Sequence, residues 1–119
     1  MQNTVFRHVL LVCKARHERA WELGCEILQW LRAQGHTAVM IEAGHEDSAY
    51  AAELDFVVVL GGDGTMLGVA RRMVGRSVPL FGINFGRVGF LTDAQPEHWK
   101  ERLVACLKGE LAVRTCLAL

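Results

Sequence analysis

Neither sign of charge prevails in this sequence, which carries 13 Lys and Arg against 13 Asp and Glu. A nucleic-acid binder ordinarily shows a basic excess, so that class is demoted. Small anionic ligands stay open, because a local cluster of donors binds phosphate without any net charge. Residues 1–4 hold no basic stretch leading into a long apolar one. The longest apolar run near them, Val9 to Cys13, is too short for a signal or a membrane span. No two of the four cysteines, Cys13, Cys25, Cys106 and Cys116, have C-x-x-C spacing, and none sits near a histidine at zinc-ligand spacing. Reduced, mostly buried thiols of a cytoplasmic protein are therefore expected, with no disulfide and no metal held by cysteine. Internal repeats and low-complexity stretches are also missing.

What is present is a chain of 119 residues, 51% of them hydrophobic, which suits one domain with a real core. His8 to Cys13 is a continuous apolar run of strand length, as fits a parallel strand covered on both faces. His17 to Gln34 has helical spacing: Ala20, Gly24, Ile27, Leu28 and Leu31 form a stripe widened by Trp21, Leu23 and Trp30. Gly35 stands where a glycine closes a helix. Thr37 to Glu42 predicts a second strand, Gly44 to Ser48 a loop, and Ala49 to Leu54 a short helix. Phe56 to Leu60 is the strongest strand signal. A helix is expected over Thr65 to Val74, ended by Gly75, and a strand over Val78 to Ile83. Asn84 to Thr92 is glycine-rich and irregular. Pro96 opens a helix through Lys108, Gly109 closes it, and Leu111 to Leu119 reads as a further strand.

Strands alternating with helices make βαβ units and a parallel sheet. Ligands of such sheets bind at the carboxyl ends of the strands. Both glycine-rich segments follow a strand, so Asp63 and Asn84 are expected on one edge of the sheet, facing a shared crevice.

The first of these segments is Gly61-Gly62-Asp63-Gly64-Thr65. Glycines after a buried strand allow a tight turn and let a phosphate approach with no Cβ in its way, while the helix that follows offers free N–H groups and a positive dipole end. Asp63 repels phosphate, so it must serve something else, such as a sugar hydroxyl or a magnesium ion; a carboxylate can also take a hydroxyl proton and prepare an oxygen nucleophile. A purely structural alternative is that Asp63 or Thr65 caps the helix. The segment is no Walker loop, since no Gly-Lys-Ser/Thr follows, and no G-x-G-x-x-G fingerprint, since Met66 and Leu67 follow Thr65. The second segment runs from Gly82 through Ile83-Asn84-Phe85-Gly86-Arg87-Val88-Gly89-Phe90-Leu91-Thr92 to Asp93. Its glycines argue for close packing or ligand approach. Asn84 tolerates left-handed backbone and can bond a ligand, and Phe90 can stack on a base or pack beneath the loop.

Together the two segments resemble the NAD kinase family, which carries G-G-D-G-T and, one strand later, G-I-N-x-G-x-L-G-F-L-T; only Val88 departs, where leucine is usual. Diacylglycerol- and sphingosine-type lipid kinases share the first motif and phosphofructokinases a near variant, but both lack the second. The resemblance implies an α/β, Rossmann-like three-layer domain with a parallel sheet over residues 1–110. Residues 111–119 would begin the crossing into a β-rich second domain that this chain lacks. It implies transfer of the ATP γ-phosphoryl group (or that of polyphosphate) to the 2′-hydroxyl of the adenosine ribose of NAD, with magnesium. Asp63 matches the aspartate that contacts the ribose and activates its 2′-hydroxyl, and Gly64 the adjoining NAD contact. Gly61, Gly62 and Thr65 belong to the loop near the phosphate donor. Phe90 matches an aromatic beside the adenine, and Asn84 the loop asparagine. No nucleic acid or membrane partner is implied; the complete enzyme would be a homo-oligomer, and this chain alone catalytically incomplete. A non-catalytic nucleotide-binding module and a lipid kinase fragment are the alternatives. Trp21, Trp30 and Trp99 read as packing residues and Arg71-Arg72 as a solvated face. His17, close to Lys14 and Arg16, is a minor candidate for ATP phosphate contact.

Overall fold

A computed structural model of the chain describes residues 8–44, 53–85 and 94–107, together with the backbone of residues 114–115. The element order is β1 (His8–Cys13), α1 (Glu18–Ala33), β2 (Thr37–Glu42), β3 (Phe56–Gly61), α2 (Asp63–Arg72), β4 (Pro79–Asn84), a 3-10 turn (Pro96–His98), α3 (Trp99–Leu107) and β5 (Arg114–Thr115). The sheet order is β2-β1-β3-β4-β5.

Each apolar run divides its side chains between two faces, as the period of two requires. Val9, Leu11 and Cys13 of β1 join Phe56, Val58 and Leu60 of β3 in one core, closed by Ala20, Ile27 and Leu31 of α1 and by Trp99, Leu103 and Cys106 of α3. Leu10 and Val12 join Val57, Val59 and Leu80 on the other face, beneath Met66, Val69 and Ala70 of α2. Helices on both faces of the sheet make the three-layer α/β fold expected, and they explain why β3 is buried at every position. Burying a side chain such as Leu11 or Phe56 fully contributes about 1.5–3 kcal/mol each.

Strands β1 to β4 are parallel to one another. Arg114–Thr115, in the stretch read only as a further strand, runs antiparallel to Pro79–Leu80 at the edge of this parallel sheet. Hydrophobic pattern announces a strand but not its direction, which depends on the partner it meets; an antiparallel edge on a parallel sheet is common in doubly wound folds. Residues 111–113 and 116–119 of the strand expected there lie outside the described residues, as do residues 45–48 of the predicted loop and 49–52 of the predicted short helix. Glu53 and Leu54, at that helix's expected end, are not helical.

Helix α1 closes as its sequence suggests. Gly35 has φ +96°, and the His36 N–H donates to the Leu31 carbonyl at 3.0 Å while the Gly35 N–H donates to that of Arg32 at 3.1 Å, the double bond pattern of a glycine-closed helix end. Its approach to the sheet depends on Gly24, where a Cβ would lie 2.8 Å from the Cys13 sulfur and 2.6 Å from that of Met40. Trp30 and Trp99 pack edge to face with ring centres 5.8 Å apart. Trp21 departs from the packing role: it is 42% exposed, because it lies next to Ala20 but off the buried stripe of Ala20, Gly24, Ile27 and Leu31. Arg71 and Arg72 are exposed in the last turn of α2, as expected.

Among the described cysteines, Cys13 and Cys106 are buried and Cys25 is half-buried. Burial pushes the Cys13 thiol from 9.0 up to about 12, and the neighbouring Cys25 and Glu42 add to the rise. Below about pH 9 both folded and unfolded chains hold this proton, so nothing is lost there. Between about pH 9 and about pH 12 the unfolded chain gives it up while the fold retains it, and stability falls as pH rises. The urea midpoint should therefore drop more between about pH 8 and about pH 10.5 in the parent than in Cys13→Ala; equal drops would show that Cys13 carries no such linkage.

Candidate functional site

The connection from β1 to β2 leaves β1 on one side and β3 lies on the other, so the order β2-β1-β3-β4 places the topological switch between β1 and β3. In open α/β sheets the crevice at the carboxyl ends of the strands flanking this switch is where ligands bind. The ends of β1, β3 and β4 are tied together there. The Lys14 N–H donates to the Leu60 carbonyl at 2.8 Å, and the Phe85 N–H donates to the Gly61 carbonyl at 2.7 Å. Gly61 and Asn84 are partners in the β3–β4 register. Asp63, two residues past Gly61, and Asn84 therefore share the edge that the alternation predicted.

The turn after β3 is tighter than expected. Helix α2 begins at Asp63 rather than at Thr65, with extended Gly62 (φ −152°) as its N-cap, and the Met66 N–H donates to the Gly62 carbonyl at 3.0 Å. Asp63, Gly64 and Thr65 thus form a first helical turn instead of a loop; glycine content alone suggests a loop, but one extended residue suffices to pass from strand to helix. Neither Asp63 nor Thr65 occupies the N-cap position, so the capping alternative does not describe this turn. A carboxylate in the first turn still gains from the helix dipole.

The glycines differ in what they do. A Cβ on Gly61 would lie 2.6 Å from the Thr65 hydroxyl oxygen, 2.9 Å from the Thr65 Cβ and 3.1 Å from the Lys14 Cβ. Gly61 is thus demanded by the chain's own packing. At Gly62 a Cβ would stand 3.7 Å from the Asn84 Oδ1, an ordinary contact, and at Gly64 no described atom lies within 4 Å of it. Gly64 is exposed, so among the described residues only Gly61 of the three is sterically compelled. Among the described residues Asn84 is the buried polar one, 5% exposed. Its N–H donates to the Ala94 carbonyl at 2.8 Å and the Ala94 N–H donates to the Gly82 carbonyl at 3.0 Å, so Ala94 is tied to the end of β4. Phe90, with Val88 and Asp93, lies outside the described residues.

On the α1 side, His17 is the N-cap, its Nδ1 accepting the Ala20 N–H at 3.1 Å. Its ring packs 5.2 Å from that of Phe85, over which the Arg19 guanidinium stands at 5.6 Å. Arg16 adopts φ 56° and its N–H donates to the Glu42 carboxylate at 2.8 Å. Arg16, His17, Glu18, Trp21 and Glu42 line an open hollow of about 390 Å³. The sequence marked His17 as a phosphate candidate, but one ring nitrogen is engaged in the cap. Phe85 went unnoticed as the unspecified position of the second motif; an aromatic next to a buried asparagine at a strand end was the available signal.

A sequence model of the ATP-NAD kinase N-terminal domain matches residues 47–111, more than half of the chain. The chain belongs to the NAD kinase family. It is 41% identical over 120 residues to an NAD kinase of Nitratidesulfovibrio vulgaris (strain Miyazaki F), covering 98% of this chain and 42% of the relative. An NAD kinase of the Hildenborough strain is 45% identical over 116 residues, covering 95% and 39%. The chain thus spans about two fifths of the length of these NAD kinases. A solved structure of yeast NADH kinase complexed with NADH superposes with a TM-score of 0.71 over 92% of this chain and 40% of that one, at 18% identity, a likeness of fold.

Gly61→Ala should lower stability by about 1–3 kcal/mol through overpacking against Thr65 and Lys14, read as a fall in urea midpoint. Gly64→Ala, with open space at its Cβ, should be neutral or gain up to about 1 kcal/mol from helix propensity. The reverse ranking would refute the division of roles between the two glycines.

Proposed function

We propose that this chain is the nucleotide-binding part of an NAD kinase, and that the turn after β3 and the end of β4 hold NAD and a phosphoryl donor at the switch-point crevice. The observation that carries this reading is the pairing of Gly61 with Asn84 in one register, which joins both motif segments at one edge within the span matched by the family. Identity of 41% and 45% to NAD kinases favours this over the lipid kinase alternative.

In the proposed reaction Asp63 orients the 2′-hydroxyl of the adenosine ribose and accepts its proton. The 2′-oxygen forms a bond to the γ-phosphorus of ATP, the bond from that phosphorus to the β–γ bridging oxygen breaks, and the electron pair departs with ADP. Polyphosphate would serve as donor by the same exchange. Placing reactants and neutralising charge supply most of the rate in such transfers. Gly64 leaves room for NAD beside the first turn, Asn84 holds the opposite wall, Gly61, Gly62 and Thr65 face the donor, and Phe90 is assigned to the adenine.

Among the described residues no three His, Cys, Asp or Glu side chains gather as a metal cage. Magnesium needs no such cage, since it keeps several waters and is held mainly by substrate phosphates with one or two carboxylates, a part Asp63 can fill. When bound there it would neutralise charge on the donor phosphates. No helix among the described residues is long and apolar enough to cross a membrane; a cytoplasmic, homo-oligomeric complete enzyme remains part of the proposal. So does the assignment of residues 1–110 to the nucleotide-binding domain and of 111–119 to a crossing into a second one.

In the full-length protein, Asp63→Asn should lower kcat by about 10²–10⁴-fold, the usual contribution of a general base, while NAD affinity changes within a few-fold. A mutant within a few-fold of the parent turnover would overturn the assignment. The 119-residue chain by itself should form little NADP from NAD and ATP, because it spans only 42% and 39% of the NAD kinases it matches; robust NADP formation by the pure chain would contradict this.

A further inference from the structure

The proposed reaction gives no role to Lys14, at the end of β1. Lys14 follows β1 directly, and its N–H bond to the Leu60 carbonyl at 2.8 Å extends the β1–β3 ladder by one residue. That ladder sets its direction. Leu10 and Val12 of β1 face the α2 layer, and alternation puts Lys14 on the same face. Val57 and Val59 of β3 also face α2, so Gly61 does as well. A Cβ on Gly61 would meet the Lys14 Cβ at 3.1 Å and the Thr65 hydroxyl oxygen at 2.6 Å. The bare α-carbon of Gly61 thus leaves one space that a lysine stem and a threonine hydroxyl, from different strand–helix units, both border. Lys14 is exposed, and no described residue forms an ion pair with its ammonium.

We propose that Lys14 is a phosphate-binding residue: with the Thr65 hydroxyl it grips the phosphate chain of the polyphosphorylated donor. The inference rests on the kinase reading of this crevice and deepens it. An ammonium supplies a compact charge with three donors, and the hydroxyl a further donor from the first turn of α2. Asp63 on that turn repels a phosphate chain, and the Lys14 ammonium, from β1, would add to the positive charge that offsets this repulsion. A larger residue at 61 would displace the threonine or the lysine stem. The shared ligand chemistry is a chain of phosphates, whether carried by a nucleoside triphosphate or by inorganic polyphosphate.

The test uses the full-length protein and its Lys14→Met and Lys14→Arg variants, both at an exposed position. With NAD saturating, Lys14→Met should raise the KM for ATP by about 10–100-fold, the size expected for a hydrogen bond to a charged group. The KM for NAD should stay within about two-fold, and Lys14→Arg should recover most of the loss because it keeps the charge. Calorimetric titration with ATP and with inorganic tripolyphosphate gives a readout independent of turnover: Lys14→Met should weaken both alike, and more at low than at high salt. An unchanged ATP KM with unchanged tripolyphosphate affinity would overturn the inference, as would weakening of ATP alone, which would put Lys14 on the nucleoside. A parent that binds tripolyphosphate through Lys14 but forms no NADP would refute the kinase reading and leave the phosphate site standing.

Discussion

The bare α-carbon at Gly61 is the constraint on which the rest of this site depends. Thr65 occupies the space a side chain would take, 2.6 Å from where its Cβ would stand, so α2 can start two residues after β3 ends and dock at once on the sheet. The Gly61 carbonyl accepts the Phe85 N–H at 2.7 Å, which carries the ladder past β4. Lys14 runs alongside through its bond to Leu60. Strand β1, the first turn of α2 and the end of β4 converge because one residue has no side chain. A substitution there acts on three elements together, whereas at Gly64 it meets open space among the described residues.

The proposed chemistry and the packing are divided by sheet face. Alternation directs Lys14, Gly61 and Asn84 toward the α2 layer, where Asp63 and Thr65 stand in the first turn. The opposite layer, under α1, ends in His17, Phe85 and Arg19, which engage one another: the histidine caps α1, the phenylalanine packs on the histidine, and the guanidinium covers the phenylalanine. That cluster braces the crevice from the α1 side. The proposed phosphate-binding edge needs no net charge on the chain, since its donors would be local and come from separate elements.

Most of the fold was legible from residues alone. Strands β1 and β2 fall at the predicted residues, and α1 differs only by its caps, because unbroken apolar runs and a stripe at spacings of three and four leave little choice of structure. The shared edge of Asp63 and Asn84 followed from the βαβ alternation. Long-range contacts decided what residues alone left open: the direction of β5 depends on which strand it meets, and the start of α2, at Asp63 instead of Thr65, depends on Thr65 fitting over Gly61. Trp21 looked like part of the buried stripe because its spacing is close to helical, but a rotation of one residue along α1 leaves it at the surface.

The sequence by itself determined the class of fold, the strand–turn–helix unit at Gly61–Thr65 and the family resemblance, because each rests on periodicity or on residues adjacent in the chain. Only the tertiary structure decided that Lys14, 47 positions before Gly61 in numbering, stands beside it, that Gly61 rather than Gly64 is compelled by packing, and that His17 and Phe85 touch. Those facts follow from strand order and register, which are settled when β3 pairs on the far side of β1. Pairing partners are chosen by the burial of both faces of the sheet together, and no local stretch of sequence contains that choice.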